Sequence, residues 1–102
     1  MGALIYGSGP ALELEDRTLA HVQRVIVAKL RKREPFQLGW AIDPQHGAGR
    51  ISLWIDAGVP ISFRYRGSRP IEINRSWIER MLEQSYTLDG LDVHEESALH
   101  SA

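Results

Sequence analysis

Phe36-Gln37-Leu38-Gly39-Trp40-Ala41-Ile42, then Ile51-Ser52-Leu53-Trp54-Ile55, then Ile61-Ser62-Phe63-Arg64-Tyr65: these runs, read together, decide the fold. In each, large apolar residues recur at every second position, and side chains two apart on a strand point to the same face. Period two therefore predicts successive strands with one face toward a core and the other toward solvent. Between them lie Asp43-Pro44-Gln45-His46-Gly47-Ala48-Gly49 and Asp56-Ala57-Gly58-Val59-Pro60, rich in the residues that turns require. A meander of neighbouring strands is the simplest way to join them.

Upstream, Leu4-Ile5-Tyr6 and Ala11-Leu12-Glu13-Leu14-Glu15 flank Gly7-Ser8-Gly9-Pro10 and predict a hairpin. From 16 to 33 the period lengthens, with Leu19, Val22, Ile26 and Leu30 at helical spacing. Asp16 stands where a cap belongs, Arg31-Lys32-Arg33 complement the negative end of the helix dipole, and Glu34-Pro35 stops the helix. Downstream, Asn74 caps a second helix whose buried stripe is Trp77, Ile78, Met81, Leu82 and Tyr86, with Ile73 stapled onto Ile78. Asp89-Gly90 ends that segment, and Leu91-Asp92-Val93 adds a short strand. The order ββαβββαβ predicts an α+β domain over 1–93, a single mostly antiparallel sheet with both helices on its apolar face. Residues 94–102 read as a flexible polar tail.

Composition bounds the function. A chain of 102 residues, 43% hydrophobic and 25% charged, has the length and balance of one globular domain. Twelve basic against thirteen acidic side chains leave a net charge of -1, so there is no global attraction for nucleic acid or an anionic membrane. The start Met1-Gly2-Ala3-Leu4-Ile5-Tyr6 lacks the basic region of a signal peptide, no apolar run is long enough to span a bilayer, and Tyr6 stands where a myristoylation motif needs Ser or Thr. With no cysteine, the chain reads as cytoplasmic.

The residues that would signal an enzyme do not assemble in the sequence. Gly47-Ala48-Gly49 precedes a strand, where a phosphate-cradling loop precedes a helix. Ser8 and Ser68 sit beside glycines but in no nucleophile elbow, and His21, His46, His94 and His100 show no metal-ligand spacing. Glu13 and Glu15 share a strand face with nothing to raise a carboxyl pKa. No catalytic residue, metal or cofactor is expected, and a non-enzymatic interaction protein is.

Ser62-Phe63-Arg64-Tyr65-Arg66-Gly67-Ser68-Arg69 is the least random stretch. Alternation turns Phe63 and Tyr65 inward and places Arg64 and Arg66 on the opposite sheet face with Trp54. Trp54, Arg64, Arg66 and Arg69 are thus the candidate binding residues. An indole beside guanidinium groups serves equally as a solvated cation–π pair, as an interface with another protein or a second copy, or as a nucleic-acid site extended by Arg31-Lys32-Arg33. A protein partner or self-association is the preferred reading, with nucleic acid the alternative.

Met1-Gly2-x-Leu4-x-Tyr6-Gly7, Asp16-Arg17-Thr18-Leu19-Ala20-His21 with Ala28-Lys29-Leu30-Arg31, Arg64-x-x-Gly67-Ser68-Arg69-Pro70 and Asn74-x-x-Trp77-Ile78-Glu79 carry a resemblance. Up to about Val93 the chain resembles a family of small actinobacterial proteins of unknown function, often labelled automatically as ATP-dependent DNA ligase. The resemblance implies a bacterial cytosolic protein and no catalytic residue. Ligase chemistry requires the lysine of Lys-x-Asp-Gly to accept AMP. Here the nearest string is Thr87-Leu88-Asp89-Gly90, and threonine has no amine. Catalytic ligation is excluded on that ground, and an accessory role beside nucleic acid is left open.

Overall fold

Alternation at the start of the chain closes into the expected hairpin: β1 (Gly2–Tyr6) pairs antiparallel with β2 (Ala11–Leu14), Leu4 opposite Leu12. The turn leaves β1 through Gly7 at φ 60°, a left-handed conformation that glycine enters without steric cost. The structure, a computed structural model, describes residues 1–9, 11–42, 47, 49–94 and 96. On its other edge β1 pairs antiparallel with β5 (Ile61–Arg64), placing Phe63 opposite Leu4 and Arg64 opposite Ala3. In a second sheet β3 (Phe36–Ala41) lies between β4 (Arg50–Ile55), antiparallel, and the short parallel β6 (Leu91–Asp92).

The α+β class and the order ββαβββαβ hold. The single sheet does not: the strand orders are β2-β1-β5 and β4-β3-β6, so β4 and β5 are not neighbours and the meander breaks between them. The cause lies at one corner. The Tyr6 hydroxyl donates to the Trp54 carbonyl at 2.8 Å and accepts from the Asp56 amide at 2.9 Å. The Gly7 amide donates to the Pro60 carbonyl at 2.7 Å. The segment 56–60 is thereby stitched to the end of β1, and the strand that follows runs along β1.

Helix α1 (Asp16–Arg31) buries Leu19, Val22, Val25 and Ile26, and α2 (Arg75–Ser85) buries Trp77 and Met81. The helices pack on each other, α1 also on β1 and α2 also on β3 and β6. Leu4, Leu12, Leu38, Ile55 and Leu91 complete one core, as the period-two and period-3.6 patterns require. Asn74 caps α2 as expected, its Oδ1 accepting from the Trp77 amide at 3.3 Å.

Asp16 does not cap α1. Glu15 is the cap residue, without a side-chain bond, and the Asp16 carboxylate accepts from the amides of Arg66 and Gly67 instead. At the other end the amides of Arg33 and Glu34 donate to the carbonyls of Leu30 and Lys29, a Schellman closure with Arg33 at φ 57°. Lys29, only 3% exposed, sets its ammonium 3.5 Å from the centroid of the Tyr86 ring and 3.6 Å from the Glu34 carboxylate. The Tyr86 hydroxyl donates to the same carboxylate at 2.8 Å. Tyr86 therefore lies outside the buried stripe expected of it, exposed on its outer side because it covers Lys29.

Of the turn 43–49 only Gly47 and Gly49 are among the described residues, the Gly49 carbonyl accepting from the Ile42 amide. Of the expected tail only His94 and Glu96 are described, and both are bonded. His94 Nδ1 donates to the Asp92 carbonyl, and Glu96 takes bonds from Arg17 and Asn74.

Candidate functional site

After β5 the chain has no period, and its path is set by polar bonds to α1. Asp16 holds residues 66 and 67 by their amides, and these bonds, led by the one from Gly67, lower the carboxyl pKa of Asp16. Arg17 donates to the Glu72 carbonyl at 2.7 Å, and His21 Nε2 accepts from the Asn74 amide at 2.8 Å. The segment 65–74 is consequently an arch pinned at both ends to the first turns of α1.

Beneath the arch lies a groove of about 590 Å³. Its floor is Val27 and Ala28 of α1 with Ile71 and Ile73 of the arch, and its rim carries Arg24, Arg31 and Arg69. Arg24 and Arg31 are seven residues apart, so they share a helix face about 10 Å from each other along the axis. Among the described residues no carboxylate lines the groove, and none of the ion pairs involves these arginines. Tyr65 closes one side, donating to Gln23 Oε1 at 2.5 Å. Burial raises the Tyr65 pKa, so the phenol stays protonated and can keep that bond.

The residues read from the sequence as one surface are distributed over four places. Trp54, 61% exposed, stands on the outer face of β4 opposite Gln37. Arg64 stands on the outer face of the other sheet. Arg66 is exposed at the foot of the arch, where its amide meets Asp16. Arg69 alone lies in the groove, where the structure brings it together with Arg31, the partner that the nucleic-acid reading gave it. The cation–π contacts among the described residues belong to Lys29, not to Trp54.

Arg24 and the Gln23–Tyr65 bond were not legible beforehand. A signal for the groove does exist in α1: Val27 and Ala28 sit on the helix face opposite the core stripe, flanked by Arg24 and Arg31. An apolar pair there, between two cations, marks a covered or partner-facing side.

His21, buried on α1, is fully engaged. A carbonyl can only accept, so Nδ1 donates to the Arg17 oxygen at 2.7 Å, which leaves Nε2 as the acceptor for Asn74. Its ring also stacks on Trp77, centroids 4.4 Å apart. Thr87-Leu88-Asp89-Gly90 is the turn that ends α2: the Thr87 hydroxyl donates to the Gln84 carbonyl and the Gly90 amide to the Thr87 carbonyl. Among the described residues no group of three His, Asp or Glu side chains is placed to hold a metal ion, and no helix is long and apolar enough to cross a membrane.

A family model for a domain of unknown function, DUF7882, matches residues 1–96, and the chain belongs to that family. No curated protein and no solved structure matches it.

Proposed function

We propose that this DUF7882 domain is a cytoplasmic, non-enzymatic binding module whose groove between α1 and the arch 65–74 takes an acidic, amphipathic segment of a partner protein. The observation that carries the reading is the pairing of an apolar floor, Val27, Ile71 and Ile73, with a rim of Arg24, Arg31 and Arg69, which take part in none of the ion pairs among the described residues. Guanidinium groups left without carboxylates attract anions, and desolvation by an apolar neighbour strengthens that attraction. The apolar floor favours a peptide over nucleic acid. A strand of nucleic acid needs aromatic faces for its bases. Tyr65 is the aromatic residue of the lining, and its hydroxyl is tied to Gln23.

The non-enzymatic part rests on chemistry already assigned: His21 spends both ring nitrogens on backbone groups, and Asp16 spends its carboxylate on the arch. The test is a titration with a fluorescent helical peptide that carries leucines on one face and glutamates on the other. The wild type should bind it, and the double substitution Arg24→Glu, Arg31→Glu should weaken binding about tenfold or more. Equal binding by both proteins, or none by either, removes the groove from consideration. Tighter binding of oligothymidine than of the peptide assigns the groove to nucleic acid instead.

A further inference from the structure

β4 lies at the edge of its sheet and shares no residue with the arginine groove. The Ile42 amide donates to the Gly49 carbonyl, and the ladder continues from there without a bulge, so the backbone groups of Ile51, Leu53 and Ile55 point toward β3. Those of Arg50, Ser52 and Trp54 point away. The Tyr6 bonds agree, since the Trp54 carbonyl and the Asp56 amide that they take are on the side away from β3. Among the described residues nothing bonds the amides of Arg50, Ser52 and Trp54 or the carbonyls of Arg50 and Ser52 on that side.

An open edge pairs with another chain unless it is short, charged, bulged or interrupted by proline. The edge strands β2 and β5 have four residues each and β6 has two. β4 has six, with no proline, and Ile51, Leu53 and Trp54 in its row. Ile51 and Leu53 are only partly buried, so the side of β4 that faces the core also has apolar surface left to cover.

Charge selects the occupant. Arg50 opens the strand and Asp56 stands just past its end, both exposed. An antiparallel neighbour of the same sequence brings each Arg50 toward the other's Asp56, whereas a parallel one sets like charges side by side. Arg50 also holds Asp92 of its own chain, and a guanidinium has donors for both. Tyr6 sets the register: its hydroxyl fills the edge between Trp54 and Asp56, so a neighbouring strand that begins at Arg50 ends its pairing opposite Trp54. We propose that two copies of this chain pair β4 to β4, antiparallel about Ser52, into one continuous sheet β6-β3-β4-β4-β3-β6. Each Ser52 exchanges amide and carbonyl bonds with the partner's Ser52, and each Trp54 amide donates to the partner's Arg50 carbonyl. Ile51 packs on the partner's Leu53, and Arg50 lies beside the partner's Trp54, next to the partner's Asp56.

Sedimentation equilibrium of the intact chain should show twice the chain mass, falling to the single mass on dilution. Hydrogen exchange followed at the Ser52 amide should be slowed about tenfold or more in the dimer and should return to the unprotected rate in the dilute monomer. Ser52→Pro removes an outward amide and no bond to β3, so it should give a folded monomer. Should that variant fail to fold, the concentration dependence of Ser52 exchange in the wild type decides alone. A dimer that persists in folded Ser52→Pro would overturn the proposal, and so would a Ser52 amide equally protected at every dilution, which means that the chain covers its own edge. A wild type that stays monomeric at millimolar concentration with Ser52 unprotected overturns it as well, and leaves the edge to an extended segment of another protein.

Discussion

The Asn74 amide donates to His21 Nε2 across 2.8 Å, so the residue that caps α2 is itself held by a buried imidazole on α1. Protonating Nε2 destroys that bond. Burial is the main cause that pushes the His21 pKa down, and the charges of Arg17 and Arg24 add to it, against the Arg17 carbonyl bond and the Glu96 carboxylate. A histidine whose folded pKa lies below its unfolded value binds fewer protons in the native state. Its contribution to stability is complete above the unfolded value of 6.5 and is lost as pH falls from there through the lower folded value. Denaturant melts should show stability declining from pH 7 to 5. His21→Ala should cost about 2–4 kcal/mol at pH 7 and flatten that decline. An unchanged slope in the variant would show that another group causes it.

Gly90 and Gly58 form a matched pair for testing the backbone. Gly90 has φ 74°, and a Cβ there would lie 2.5 Å from the Gln37 carbonyl oxygen. Gly90→Ala should therefore destabilise by about 2 kcal/mol or more, through backbone strain and displacement of β3. Among the described residues nothing lies within 4 Å of a Cβ at Gly58. Gly58→Ala should stay within about 0.5 kcal/mol of the parent. Chemical denaturation of the two variants side by side measures the difference.

Trp54 and Trp77 are separated by burial, 61% against 1% exposed. Trp77→Ala should cost about 3–5 kcal/mol, and Trp54→Ala less than about 0.5. Phe63 packs against the core but is only partly buried, so Phe63→Ala falls between, at about 2–3 kcal/mol. If Trp54→Ala proves as damaging as Trp77→Ala, the outer face of β4 is covered. Light scattering of the wild type would then show whether a second copy covers it.

Local signals were legible and distant ones were not. The alternation of Phe36, Leu38 and Trp40 and the Asn74 cap each depend on neighbours a few residues away, and each is found as expected. Alternation assigns a face to Phe63 and Arg64, but it is silent about which strand lies beside them. The neighbour is β1, 59 residues away at the Leu4–Phe63 pair, chosen by bonds from Tyr6 and Gly7 to residues 54–60 that no periodicity announces. The groove was hidden for a related reason. Residues 65–74 have no repeat, and their course depends on Asp16 and His21, side chains whose types suggest a helix cap and a surface histidine.

Lys29 and Lys32 are the lysines of this chain. One ammonium is sealed beneath Tyr86 and Glu34, while the other stands in water just past the end of α1. An amine-selective reagent applied to the native protein therefore meets, besides the α-amino group, two lysine side chains of the same chemistry and different access. Modification of Lys32 counts exposure time, and modification of Lys29 counts openings of the α1–α2 corner. The ratio of Lys29 to Lys32 modification, read by peptide mapping, is thus an internal clock for local unfolding that needs no substitution.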